Sequence, residues 1–378
     1  MKRILVMSIG TEIGGIERSL IEFLKYIVTQ DCSVDLYLWQ EPGPLFNRIP
    51  AEVHIIDREL YPRSLKTVFQ KKGGEKILAF FRYVGFRISR ALRYPTTFFP
   101  RFSGEYDIAI AFCHNGFSPE YVATKVNAKK KYMFFRHGEY EYEKYPWKHF
   151  NKIYQKFDNV VAVSEATRTM LQKVFPELKN ILVVKNLFDE TSIMEKSNIS
   201  TETFTSSQKC KLCSVGRLSS EKGQMFAVSV AKALRDKSFD FEWIFVGDGF
   251  EKGKCLKLVE NYNLEKYCRF IGARENPYPY MKECDIYVQT SFVEANPGTI
   301  QEAKILQKPI IATNLPSIQE ALDNMPLSEV CELNEEKFAR KIIAMYDTIK
   351  MMKQSDIIEH KCSMNEDNRQ IIKQWLGI

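Results

Sequence analysis

Arg217 and Lys222 are separated by four residues in "SVGRLSSEKGQ", residues 214–224, where an apolar run ends on Gly216 and Gly223 follows the lysine. The pattern predicts a strand that stops at Gly216, with Arg217 projecting from its carboxyl end and Lys222 opening the next helix. A planar guanidinium and a compact ammonium at such a place suit a diphosphate, and would offset negative charge growing on a phosphate leaving group. The competing reading is a solvated surface turn. A second candidate anion site is "GTEIGGIERSL", in which Gly14 and Gly15 end a loop and open a helix. Bare backbone N–H groups at a helix start bind anions, and glycine lets a phosphate or sugar come close. The full G-x-G-x-x-G fingerprint is absent, which argues against a dinucleotide cofactor.

Two carboxylates carry the next signal. In "TSFVEANPGTIQEAKILQKPIIATN", Glu294 lies just past a strand end and Glu302 falls about a turn inside a helix that starts near Gly298. Carboxylates accept paired hydrogen bonds from vicinal hydroxyls, so this spacing suits a sugar ring and a ribose along one extended ligand. The helix N-terminus would then lie near the phosphates between them. The backbone from Asn296 through Gly298 to Thr299 can present N–H groups to the sugar, Pro297 excepted. A capping or surface role for both glutamates is the alternative. Arg274, in the loop after "CRFIG", is placed either to touch a base or simply to face solvent.

The elements that must position these residues alternate from the start. "RILVMSIG" reads as a buried strand and "GGIERSLIEFLKYIV" as a helix with one apolar side; "SVDLYLW", "EVHIID", "YDIAIAF", "KYMFFRHG" and "NVVAVS" follow as strands with helical stretches between. Residues 189–209 are rich in Ser, Thr, Glu and Asn and read as a link between domains. A second series follows: "KLCSVG", a helix near 223–235, "EWIFVGDG", a helix near 251–262, "CRFIG", "DIYVQTS", a helix from about 298, and "PIIATN". The expected fold class is α/β, with two doubly wound, Rossmann-like parallel-sheet domains facing a cleft. The expected domains are 1–188 and 189–362, with the apolar helical tail 363–378 packing back on the first.

Composition bounds the rest. A chain of 378 residues with 45% hydrophobic content suits two packed globular domains. The nine cysteines are odd in number and scattered, behind no recognisable secretory leader, and so read as reduced thiols in a cytoplasm. Cys210 and Cys213 form a C-x-x-C, but no second pair follows at metal spacing, so buried thiols at a strand start are favoured over zinc. No apolar run approaches the roughly 18 residues of a spanning helix. The formal charge of +7 is uneven: residues 63–101 hold ten basic residues and one acid, Glu75. On a helix over 76–93, Ile77, Phe80, Phe81, Val84, Ile88 and Leu92 share one face, opposite Lys76, Arg82, Arg87, Arg90 and Arg93. Such a helix either lies on an anionic membrane, each near-surface cation contributing about 1 kcal/mol, or packs its stripe on the first sheet. The cations keep to one segment without a recognised binding motif, which argues against nucleic acid.

Several ordered motifs together carry a resemblance that no one of them would. "GGIER", "VGRLSSEKG", and E-x(7)-E-A running into "KPIIAT" resemble the family 4 glycosyltransferases of GT-B architecture, and "RHGEY", "VVAVSEATR" and "FIGARENPYPYMKECDIYVQTS" are similar to further segments of that family. The resemblance covers nearly the whole chain. It implies retaining transfer of a hexosyl group from a nucleotide-sugar donor, UDP-linked rather than GDP-linked, with no metal and no cofactor. It implies Arg217 and Lys222 on the donor diphosphate, Glu294 on the sugar, Glu302 on the ribose, and His137 near the sugar and β-phosphate. The acceptor implied is a glycan, lipid-linked or free, in surface polysaccharide or capsule synthesis, with the protein peripheral at the inner face of the cell membrane. The chain departs from the family in having Ala295 where glycine usually follows the first glutamate. No D-x-D metal-diphosphate signature occurs. A nucleotide-sugar epimerase or hydrolase, or a non-catalytic donor-binding scaffold, are the rival readings.

Overall fold

A computed structural model of the chain describes residues 1–57, 60, 65–91, 96–97, 99–114, 116–141, 147–206, 208–352 and 365–377. The chain divides into two compact units, Met1–Leu187 with Asn365–Ile378, and Phe188–Met364.

The first unit is built on a seven-stranded sheet in the order β3-β2-β1-β4-β5-β6-β7. Its strands are β1 (Lys2–Ser8), β2 (Cys32–Leu38), β3 (His54–Ile55), β4 (Glu105–Ala111), β5 (Asn127–Phe135), β6 (Asn159–Ala162) and β7 (Ile181–Val183). Every neighbouring pair is parallel. Parallel strands covered on both faces must be apolar on both, and Ile4, Leu5, Val6 and Met7 of β1 are accordingly all fully buried. At the amino-terminal edge, Asp35 accepts hydrogen bonds from Tyr106 (2.7 Å) and Arg3 (3.0 Å) and meets His54 Nδ1 at 2.8 Å. These bonds outweigh the opposing effect of burial and hold the Asp35 carboxyl below its ordinary pKa.

The second unit carries a six-stranded parallel sheet in the order β10-β9-β8-β11-β12-β13. Its strands are β8 (Cys210–Val215), β9 (Phe241–Val246), β10 (Cys268–Phe270), β11 (Ile286–Gln289), β12 (Ile310–Thr313) and β13 (Ser328–Cys331). Cys210 and Cys213 are both fully buried in β8 as free thiols whose pKa burial drives up. In each sheet the first strand of the series sits centrally and the order reverses beside it, at β1/β4 and at β8/β11. Ligand loops of open α/β sheets gather at such switch points. "SVGRLSSEKGQ" therefore leaves the sheet beside "TSFVEANPG", because β8 and β11 are hydrogen-bonded neighbours.

One expectation is corrected here, and one open alternative is narrowed. The stretch 189–209 is more than a link: Glu190–Ser197 is a helix, capped by Asp189 Oδ1 accepting from Ser192 N–H, and its Ile193 belongs to the core of the second unit. One buried apolar position in an otherwise polar helix leaves almost no periodic signal. The basic helix runs from Gly73 to Ala91, and most of its predicted apolar stripe is exposed, with Val84 half-buried and Leu92 outside the described residues. Ile77 and Phe81 are 62% and 67% exposed, with Phe80 and Ile88 also exposed, while Ala79 and Phe86 face inward. Lys76 and Arg87 are exposed and Arg82 is half-buried. Arg93 lies outside the described residues, as does the side chain of Arg90. The terminal helix, Glu366–Leu376, belongs to the first unit, where Tyr132 donates to Trp375 O (3.0 Å) and the two rings meet edge to face.

Candidate functional site

In the second unit the site is assembled from the loops that leave β8 and β11. Gly216 follows β8, and the chain passes it so closely that a Cβ on Gly247 would come within 1.9 Å of the Gly216 carbonyl oxygen. Arg217 is exposed, and its guanidinium makes no hydrogen bond or ion pair among the described residues. Lys222 does not open the long helix, as the spacing suggested. It ends a one-turn 3-10 helix, Ser220–Lys222, and the α-helix Gln224–Asp236 starts after Gly223. Gly223 has φ +66°, and a Cβ there would lie 2.1 Å from the Thr290 carbonyl oxygen, so only glycine fits. Phe292 N–H donates to Glu221 O (2.7 Å) and the Thr290 hydroxyl to Gly223 O (3.0 Å), stitching the two loops together.

That stitching brings Lys222 to Glu294. The ammonium and Glu294 Oε1 are 2.5 Å apart, with the lysine side chain 32% exposed and the carboxylate 7%. The same oxygen accepts from Gln289 Nε2 (2.7 Å) and from the Ser291 hydroxyl (2.7 Å), and Ser317 Oγ donates to the Glu294 carbonyl (2.8 Å). Thr299, in the first turn of the helix Gly298–Ile305, donates to Gln289 Oε1 (2.8 Å). No side chain caps that helix; Pro297 occupies the N-cap, Gly298 and Thr299 begin the first turn, and Asn296 is half-buried just before it.

Glu302 is buried in the same helix and joins a different partner: Tyr278 donates to its Oε1 at 3.1 Å. Tyr278 escaped the sequence reading although it stands in the "PYPY" run; nothing in that run ties one tyrosine to a carboxylate 24 positions on. Arg274 is exposed in the loop after β10 and makes no hydrogen bond among the described residues.

The first unit has its own group of polar residues at the carboxyl ends of β1, β4 and β5. Gly15 starts the helix Gly15–Ile27, and a Cβ added to it would meet nothing within 4 Å, so packing does not demand the glycine. His137 follows β5, half-buried, with Nδ1 2.8 Å from the Glu139 carbonyl; as donor in that bond it leaves Nε2 without a hydrogen bond among the described residues. Behind it lies a second histidine that the sequence did not single out. His114 is buried, its ring 6.0 Å from that of His137 and 4.2 Å from Phe135, and its Nδ1 accepts from Arg136 N–H (3.3 Å). Burial, aided by the His137 and Arg136 charges, pushes its pKa down to about 3. The Arg136 guanidinium lies over Phe112 and Phe134 and donates to Phe112 O (3.1 Å), Ser19 Oγ (3.0 Å) and Asn186 Oδ1 (2.7 Å). Desolvation lowers its pKa to about 9, which leaves it charged at neutral pH.

Comparison with known proteins bears on both units. Residues 13–191 match the family described as Glycosyltransferase Family 4, and residues 195–359 match that described as Glycosyl transferases group 1. An uncharacterized glycosyltransferase of Methanocaldococcus jannaschii is 26% identical over 169 residues, 44% of this chain and 42% of that protein. The amylovoran biosynthesis glycosyltransferase AmsD of Erwinia amylovora is 26% identical over 157 residues, 41% of this chain and 43% of that protein. The chain thus spans less than half the length of these two relatives. The Anabaena protein HepE, solved in complex with UDP, superposes with a TM-score of 0.66 at 17% identity, covering 99% of this chain and 95% of its own, a likeness of fold.

Proposed function

Since the chain belongs to the family 4 glycosyltransferases of GT-B architecture, we propose that it moves a hexosyl group, with retention at the anomeric carbon, from a UDP-sugar to a glycan acceptor. The observation that carries this reading is the pairing of Lys222 with Glu294 at the switch point of the second sheet, with Arg217 exposed in the same loop after β8. Two cations and a carboxylate in one group of loops suit a diphosphate joined to a sugar. UDP in the HepE structure and the amylovoran name of the Erwinia relative support the donor class and a role in surface polysaccharide.

In this reading Arg217 and Lys222 bind the diphosphate and supply positive charge as the bond from the anomeric carbon to the β-phosphate oxygen breaks. The acceptor oxygen bonds to the same carbon on the same face, and its proton passes to the departing phosphate, so no separate strong base and no metal is called on. Glu294 Oε2 accepts from a sugar hydroxyl, Glu302 from the ribose hydroxyls, and the N–H groups of Gly298 and Thr299 face the sugar. His137, Gly15 and Arg274 are the remaining donor-binding candidates of this reading. The first unit takes the acceptor.

The acceptor is lipid-linked, and the protein works peripherally at the cytoplasmic face of the membrane. The exposed Ile77, Phe80 and Phe81 beside Lys76 and Arg87 support this, and no helix among the described residues is long and apolar enough to span.

Titration with UDP-, GDP- and ADP-sugars tests the donor site. A bound nucleotide sugar at 100 times its dissociation constant stabilises by about 2.7 kcal/mol, visible as a rise in Tm. The rise is expected with UDP-sugars and is expected to vanish in Arg217→Ala and Glu302→Ala; Glu294→Ala and Lys222→Ala should stay folded and lose transfer. Absence of any shift overturns the donor site, a shift without transfer points to a non-catalytic donor-binding scaffold, and donor turnover without acceptor points to an epimerase or hydrolase.

A further inference from the structure

Gln289 ends β11 buried, in a strand whose other residues, Ile286, Tyr287 and Val288, are buried and mostly apolar. Its amide is used in full. Nε2 donates to Glu294 Oε1 (2.7 Å) and lies 3.3 Å from Ser291 Oγ, while Oε1 accepts from Thr299 Oγ1 (2.8 Å) and lies 3.4 Å from the Tyr287 hydroxyl. The chemistry of the partners fixes which way the amide points, since a carboxylate only accepts and a threonine beside it must then donate to the oxygen. An apolar residue would fill this strand position without needing four partners, and a buried polar group that is fully satisfied specifies one geometry.

Glu294 shows what that geometry serves. Its Oε1 is held by one cation and two neutral donors, whereas Oε2 has no hydrogen bond among the described residues. If a diphosphate claims the Lys222 ammonium, the carboxylate loses its one charged partner among the described residues. Gln289 and Ser291 then hold Oε1 in place, keeping Oε2 turned to the ligand.

Resting on the donor-site reading above, we infer that Gln289 is a positioning residue: it locks the Glu294 carboxylate to the first turn of the helix Gly298–Ile305, so that sugar recognition survives the transfer of Lys222 to the diphosphate. It acts on the sugar half of the donor and not on the nucleotide half.

The test compares calorimetric titrations with UDP and with UDP-glucose, UDP-galactose and UDP-N-acetylglucosamine. Loss of a hydrogen bond to a charged group weakens binding by about tenfold or more. Gln289→Leu is therefore expected to lower affinity for the UDP-hexose that wild type prefers by about tenfold and to leave UDP affinity unchanged. Gln289→Glu should bind that UDP-hexose poorly at pH 8, where two carboxylates face each other, and recover as pH falls and the new carboxyl gains the proton it needs to donate. A purely packing role predicts equal loss for UDP and UDP-hexose and no recovery in acid, and either result overturns the inference. If Gln289→Leu fails to fold, the acid recovery of Gln289→Glu decides alone. Wild-type protein that binds no UDP-hexose overturns the donor reading itself, and the role of Gln289 with it; wild-type binding with an unaltered Gln289→Leu overturns only the role.

Discussion

At the scale of single residues, burial decides what each side chain can do. His114 is held neutral at about pH 3 and above by its enclosure, whereas an unfolded histidine titrates near 6.5. Between those values the unfolded chain binds the extra proton, so the His114 contribution to stability is complete above about pH 6.5 and declines as pH falls. The slope is about 1.4 kcal/mol per pH unit, or about 2 kcal/mol between pH 6.5 and 5. Denaturant unfolding at a series of pH values should show this loss in wild type and a shallower one in His114→Asn, whose side-chain oxygen can still accept from Arg136 N–H. Gly223 is constrained by both conformation and space, with φ +66° and the Thr290 oxygen 2.1 Å from any Cβ. Gly223→Ala should lower Tm and cost well over 1 kcal/mol, because the loop must shift as well as strain. The residue types at the candidate site were readable in advance, yet their partners were not. Lys222 to Glu294 spans 72 positions, and Glu302 to Tyr278 spans 24.

At the scale of elements, the helix Gly73–Ala91 shows how an amphipathic pattern leaves open which face is buried. An amphipathic stripe ordinarily marks the buried side, but here Ala79 and Phe86 pack inward while Ile77, Phe80, Phe81 and Ile88 face out. Substitutions then separate the two sides. Phe86→Ala should destabilise by about 3 to 5 kcal/mol in chemical denaturation, as for any large core side chain. Phe81→Glu should change stability by no more than about 0.5 kcal/mol while sharply reducing sedimentation with vesicles of mixed phosphatidylglycerol and phosphatidylcholine. Equal co-sedimentation of Phe81→Glu and wild type would rule out this helix as the membrane contact. The helix Glu190–Ser197 failed to register because its single core residue, Ile193, gives no period, and its clearest signature is the Asp189 cap. Asp189→Ala should cost about 1 kcal/mol.

At the scale of the whole molecule, the chain order of the units is interrupted by the last helix, which returns to the first. Ile372 and Leu376 are buried there, Lys2 Nζ donates to Leu376 O (3.0 Å) and Gly377 O (2.6 Å), and Trp375 covers Tyr132. Deleting 365–378 should lower the calorimetric transition of the first unit and leave that of the second in place. Two parallel sheets, all of their strands but β7 and β13, and the candidate residues Arg217, Lys222, Glu294, Glu302 and His137 were determined by the sequence itself, because strand alternation, glycine placement and the order of motifs are local properties of the chain. Only the tertiary structure decided that β8 lies against β11, that Lys222 pairs with Glu294, that Gln289 ties Glu294 to Thr299, and that the apolar stripe of the basic helix faces outward. Those outcomes depend on which distant surfaces meet and which carboxylate lies nearest an ammonium, and no spacing along the chain encodes either.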